Sequence, residues 1–207
     1  MLEPAAAQAL ADQLQAAQGA RETALAACRR VIRCSGSAIR AVHTGDRGRW
    51  QQMLDEGASA LRQAQSALAP FPNVAYAGFL QDAEKEYAEA VLTRALVDGS
   101  PLPSWTELAI GLGAWLNGLC EAASELRRQV LDRSRAGEAA TAQRLLTAMD
   151  AVYEILMEVD YPDAITGGLR RNTDALRAVL ERTRSDLVTF IIALRTQDAL
   201  RQAGGGA

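Results

Sequence analysis

The sequence predicts an all-α protein: a single-domain bundle of five to seven antiparallel helices. Three observations carry that prediction. Ala, Leu, Arg, Glu and Gln, all good helix formers, dominate the composition. Aromatic residues make up only 5% and β-branched residues are sparse, which argues against a sheet. Proline and glycine clusters separate long stretches with helical apolar spacing. With 207 residues, 49% of them hydrophobic, the chain has ample length to bury a core. Residues 1–203 are assigned to one domain and the glycine-rich 204–207 to a flexible tail.

The first helix is expected from Pro4 to Thr44, with Ala27, Val31, Ala38, Ile39 and Val42 near one face and possible bend points at Gly19 and Ser35-Gly36-Ser37. Gly45-Asp46-Arg47-Gly48 reads as a turn. A second helix covers about Arg49 to Leu68 and stops before Pro70-Phe71-Pro72. A third runs from about Val74 to Leu96. A fourth is expected to start at Ser104, where Glu107 has the spacing of a capping box, and to reach Arg135. A fifth covers about Glu138 to Val159. After Gly167-Gly168, Leu169, Leu176, Leu180, Leu187, Ile191 and Leu194 form a long apolar stripe on the last helix.

Composition also excludes functions. The formal net charge of −3 rules out a globally basic nucleic-acid binder and leaves room for a local basic stripe. The N-terminus lacks the basic and apolar regions of a secretory signal, and no stretch is long and apolar enough to span a membrane. Cys28, Cys34 and Cys120 are odd in number and lack CxxC spacing, which argues against a disulfide framework or a zinc site. A cytoplasmic location is expected.

Two acidic pairs interrupt otherwise apolar patterns. Glu86 and Glu89 are three residues apart, and Glu121 and Glu125 four apart, so each pair shares a helix face. If those faces meet, hard oxygen donors without nitrogen would favour Mg²⁺ or Mn²⁺ over zinc. From spacing alone, solvated surface charge is the commoner reading of such pairs. A di-iron carboxylate bundle needs Glu-x-x-His pairs, and the sole histidine, His43, stands in none.

One stretch is clearly basic. Between residues 21 and 49 lie Arg21, Arg29, Arg30, Arg33, Arg40, Arg47 and Arg49, against Glu22 and Asp46. Arg29, Arg33 and Arg40 fall near one face of the first helix, with Arg30 beside them. A row of guanidinium groups can track a phosphate backbone, although a solvated or salt-bridged face is the more ordinary reading. No aromatic residues are interleaved with it for base stacking.

At these residues the sequence resembles translin and translin-associated factor X, including their prokaryotic relatives. Glu86-Tyr87-Ala88-Glu89-Ala90 is similar to the family's Glu-Tyr-x-Glu-Ala motif. The stretch from Leu116 through Glu121 and Glu125 to Arg128 is similar to its second acidic helix. Arg29-Arg30-Val31-Ile32-Arg33, leading to Ala38-Ile39-Arg40-Ala41-Val42-His43, resembles its first basic helix. Met157 to Ala164, running into Arg170 to Arg177, resembles the prokaryotic C-terminal segment. The likeness spans about residues 25 to 195.

The resemblance implies a seven-helix bundle assembling as a homo-oligomer, an octamer, into a closed shell around nucleic acid. It implies a Mg²⁺-dependent endoribonuclease acting on single-stranded RNA. Glu86, Glu89, Glu121 and Glu125 would be the catalytic and metal-binding residues, and Arg29, Arg30, Arg33 and Arg40 the nucleic-acid contacts. Glu121 stands where the family has Asp, so its arm is one methylene longer. The alternatives are a catalytically silent binder of single-stranded RNA or DNA and a helical structural or assembly protein. Retention of four carboxyls favours the first reading over the silent binder, and the arginine stripe favours either over a purely structural role.

Overall fold

The computed structural model describes residues 3–204. Eight helical segments follow one another: α1 (Pro4–Thr44), α2 (Arg47–Leu68), α3 (Pro72–Ala75), α4 (Phe79–Asp98), α5 (Leu112–Arg135), α6 (Ala139–Met157), α7 (Asp163–Thr166) and α8 (Leu169–Gly204). Six are long and two are single turns. No strand occurs among the described residues. Gly204 ends α8, while residues 205–207 of the expected tail lie outside the described residues.

α1 runs unbroken through Gly19 and Ser35-Gly36-Ser37, so the expected bend points do not interrupt it. Asp46 caps α2 by accepting from the Arg49 backbone N–H at 2.9 Å. The expected third helix is split: α3 ends at Ala75, and Gly78, at φ 95°, turns the chain into α4. The Ser104–Glu107 capping box forms, with Ser104 N–H donating to the Glu107 carboxylate at 2.8 Å and Glu107 N–H to the Ser104 hydroxyl at 3.3 Å. It caps an isolated turn and not α5. Ala109, at φ 53°, ends that turn, and α5 begins at Leu112. The loop is anchored by Trp115 Nε1 donating to the Pro103 carbonyl at 2.9 Å and by edge-to-face packing of Trp105 on Trp115.

α5 is the central helix. It packs on α4, α6 and α8, and α1 packs on α2 and α4. Leu119, Leu126, Leu145, Met149, Leu176, Leu180 and Leu187 are fully buried in one core continuous from α1 to α8. A smaller cluster of Ala38, Met53, Leu54 and Ala90 closes the α1–α2–α4 corner. The stripe of the last helix leaves this core after Leu187: Ile191 and Leu194 are only half-buried, and Val188 and Ile192 are exposed. The start of α1 is exposed on all sides, with Leu10 and Leu14 open to solvent. No helix of the described residues is long and apolar enough to cross a membrane.

Candidate metal centre between the two acidic helices

The site depends on how closely α4 and α5 approach. Gly118 of α5 faces the α4 backbone. A Cβ there would lie 2.6 Å from Ala88 Cβ, 2.8 Å from the Lys85 carbonyl oxygen and 3.0 Å from the Glu89 nitrogen. Only a residue without a side chain allows that contact. Ala88 and Ala122 are fully buried, so small side chains fill the adjoining seam. The contact sets the two acidic motifs side by side.

Glu86, Glu89 and Glu121 each present an oxygen, and the three oxygens lie within 4.8 Å of one another. Two oxygens sharing one ion are at most about 4–5 Å apart, given metal–oxygen bonds of about 2.0–2.6 Å. Glu89 is only 8% exposed, and its carboxyl has no hydrogen bond or ion pair among the described residues. A buried, unpartnered carboxyl is expensive, and a cation removes the expense. Its pKa is pushed up to about 8, first by burial and then by the charges of Glu121, Glu86 and Glu125. Burial likewise raises Glu86, helped by Glu121 and opposed by Lys85. The oxygen-only donor set, its spacing and the orphaned Glu89 fit a hard divalent ion.

Glu125 stands apart from that trio. Its carboxylate accepts from His43 Nε2 of α1 at 2.9 Å, and this bond is the leading cause that holds its pKa below the usual value. On the other side of the ring, Gln129 Nε2 donates to His43 Nδ1 at 3.0 Å. An amide nitrogen only donates, so Nδ1 accepts and Nε2 carries the proton given to Glu125. The His43 side chain is 2% exposed. Glu125 still lies close enough for its charge to act on Glu89. The structure thus groups three of the four expected carboxylates and places the fourth beside them in a separate bond.

Sequence reasoning missed three contributors. Lys85 Nζ donates to Glu121 at 2.8 Å and lies 3.6 Å from Glu86. His43 and Gln129 fix Glu125. None of them belongs to a local acidic pattern, and only the interhelical contact reveals them. Asn117, one residue before Gly118, is buried and donates to the Gly113 and Thr166 carbonyls while accepting from Asn172 Nδ2 at 2.7 Å. It ties α5 to α7 and α8 at the floor of a cleft of about 830 Å³, which Lys85, Glu121, Arg171 and Asn172 line. The buried Cys120 thiol, pushed up to about 12 by burial, is no nucleophile.

Arg29, Arg30, Arg33 and Arg40 are all exposed and lie away from the buried stripe of α1. None has an acidic partner within salt-bridge distance among the described residues. Among the described residues Arg40 donates only to the Ser37 hydroxyl, at 2.9 Å. Arg47 pairs with Asp98 at 3.7 Å.

The fold and site define an all-α bundle whose central helix pair carries a carboxylate cluster flanked by an arginine-bearing helix. No family model matches the chain. It is 32% identical over 184 residues to the uncharacterized protein MJ0175 of Methanocaldococcus jannaschii, covering 88% of this chain and 81% of that one. Among solved structures it is similar to AfC3PO in a complex with duplex RNA, at TM-score 0.83 and 30% identity over 90% of this chain and 96% of that one. AfC3PO alone gives the same TM-score and identity, with 97% of that chain covered. Apo-NeC3PO, at 17% identity and TM-score 0.82 over 92% of this chain and 98% of that one, shares the fold. The chain belongs to the translin family of C3PO-type proteins.

Proposed function

We propose that this protein binds RNA and cleaves it as a Mg²⁺- or Mn²⁺-dependent endoribonuclease within a homo-oligomeric shell, an octamer. The observation that carries the reading is the convergence of Glu86, Glu89 and Glu121, with Glu89 buried and unpartnered. A divalent ion held by these carboxylates would supply Lewis acidity for attack of water on a phosphodiester. Glu125, oriented by His43, stands beside the trio as a fourth carboxylate able to accept a proton or join the ligand set. Arg29, Arg30, Arg33 and Arg40 would hold the phosphate backbone.

RNA as the partner is supported by the likeness to AfC3PO, which has been solved with duplex RNA. Single-stranded RNA is the proposed substrate for cleavage, because a flexible strand brings its phosphates to a fixed cluster with little bending cost.

A second reading has an observation of its own. Lys85 already neutralises part of the cluster, as a site that never takes a metal would require. That reading is a silent RNA binder. The purified protein, incubated with end-labelled single-stranded and duplex RNA in Mg²⁺ or in a chelator, decides between them. Cleavage of the single strand only with the ion supports the enzyme. Tight binding without cleavage in either condition supports the silent binder, and absence of both leaves a structural protein.

A further inference from the structure

Lys85 carries an inference beyond ligand assignment, and it rests on the proposed metal-dependent cleavage. Its ammonium sits between Glu121, at 2.8 Å, and Glu86, at 3.6 Å. Those are two of the three residues whose oxygens cluster. One cation therefore already stands at the carboxylates where a second would bind. Two cations held by the same pair of carboxylates repel each other.

We propose that Lys85 is a catalytic residue with two alternating positions: a built-in counter-cation of the carboxylates without metal, and a phosphate-holding group once a divalent ion displaces it. The exchange needs somewhere for the ammonium to go. Lys85 lines the cleft of about 830 Å³ that opens beside Glu121, with Arg171 and Asn172 also among its walls. Its side chain is 26% exposed, so the flexible stem reaches that space by rotation about its own bonds. A strand passing over the carboxylates and into this cleft brings a phosphate oxygen to the released ammonium.

Without a resident cation, three carboxylates around a buried Glu89 would repel one another and loosen the α4–α5 contact. Lys85 holds these carboxylates together, and a metal must compete with it. Metal binding and substrate grip are coupled through one side chain: removing the ammonium eases the first and weakens the second. A merely structural lysine would weaken both on removal.

The test uses the full chain with two readouts. Mn²⁺ binding without RNA is followed by the loss of the free-ion electron paramagnetic resonance signal. Cleavage of labelled single-stranded RNA is measured at saturating Mn²⁺. Lys85→Met is expected to bind Mn²⁺ roughly tenfold more tightly, the scale of one screened charge removed from a partly exposed site. It is expected to cleave roughly a hundredfold more slowly, as for loss of one charge-stabilising donor. Lys85→Arg keeps the charge and is expected to restore most of the cleavage. Lys85→Gln is read in the same way should the Met variant fold poorly. Unchanged or weaker Mn²⁺ binding in the neutral variants, or cleavage at the wild-type rate, overturns the proposal. A wild-type protein that takes no Mn²⁺ overturns both this inference and the enzyme reading. A wild type that binds and cleaves beside indifferent Lys85 variants overturns this inference alone.

Discussion

His43 Nε2 donates to Glu125 Oε2 across 2.9 Å and joins the C-terminal end of α1, the arginine-bearing helix, to α5, the acidic one. Gln129 locks the ring from its far side. The bond fixes one Glu125 oxygen and leaves the other free. His43→Ala is expected to leave RNA affinity within about twofold and to slow cleavage by roughly 10–100-fold, the usual loss when a group orienting a metal-site ligand is removed. Melting should show a loss of about 1 kcal/mol, chiefly from the buried Gln129 amide left without its partner, since Glu125 is 39% exposed and regains water. Cleavage at the wild-type rate in a folded His43→Ala protein would remove Glu125 orientation from the mechanism.

Glu89 ties stability to pH. Its pKa in the folded chain is raised to about 8, from an ordinary value of 4.5. The folded state thus binds this proton more tightly than the unfolded state. In a chelator, stability from this group is greatest below about pH 4.5 and is lost as pH rises through about 8. The loss is on the order of a few kcal/mol. Mg²⁺ should restore stability at the alkaline end. Glu89→Gln carries no charge, so its chelated form should melt several degrees above the wild type at pH 8.5 and close to it at pH 5. It should bind RNA and not cleave it. Parallel melting profiles for the two proteins would show that Glu89 is solvated and not part of a closed site.

Gly118→Ala tests the contact that builds the centre. In an ordinary helix this substitution stabilises by about 1 kcal/mol. Here the new methyl meets the α4 backbone at Lys85 and Glu89. We expect destabilisation of about 1–3 kcal/mol, the usual range for overpacking, seen as a melting temperature about 2–10 °C lower. Mn²⁺ binding should weaken in the same variant, because Glu86 and Glu89 move away from Glu121. A stabilised Gly118→Ala protein would mean that α4 and α5 do not touch at this position.

The arginine stripe predicts a salt effect. Replacing Arg30, Arg33 and Arg40 with Ala should weaken single-stranded RNA binding and lower the slope of log affinity against log salt by about 2, at about 0.7 per lost phosphate contact. Arg29 is left in place as the fourth exposed cation. Fluorescence anisotropy over a salt series measures it. An unchanged slope in a folded triple variant would move the RNA surface elsewhere.

Apolar groups exposed on one chain predict assembly. Leu10 and Leu14 of α1 and Val188 and Ile192 of α8 are each more than half exposed. Light scattering is expected to report a homo-oligomer, an octamer, at micromolar concentration. Leu14→Glu with Ile192→Glu should shift it to smaller species without unfolding the bundle. A stable wild-type monomer would end the shell proposal.

The sequence by itself determined the helices and their faces, since both follow from local spacing: Glu86 with Glu89, Glu121 with Glu125, and Arg29, Arg33 and Arg40 on the side away from the core. It misjudged the start of α5, because the Ser104–Glu107 capping box is equally able to cap a single turn, and nothing local marks the break at Ala109. Only the tertiary structure decided which carboxylates meet. Lys85 enters the cluster, and His43, from a helix far away in sequence, holds Glu125. The physical reason is that helix periodicity is a property of a few neighbouring residues. The register of α4 against α5 is set instead by steric fit at Gly118, a contact between segments with no shared local pattern.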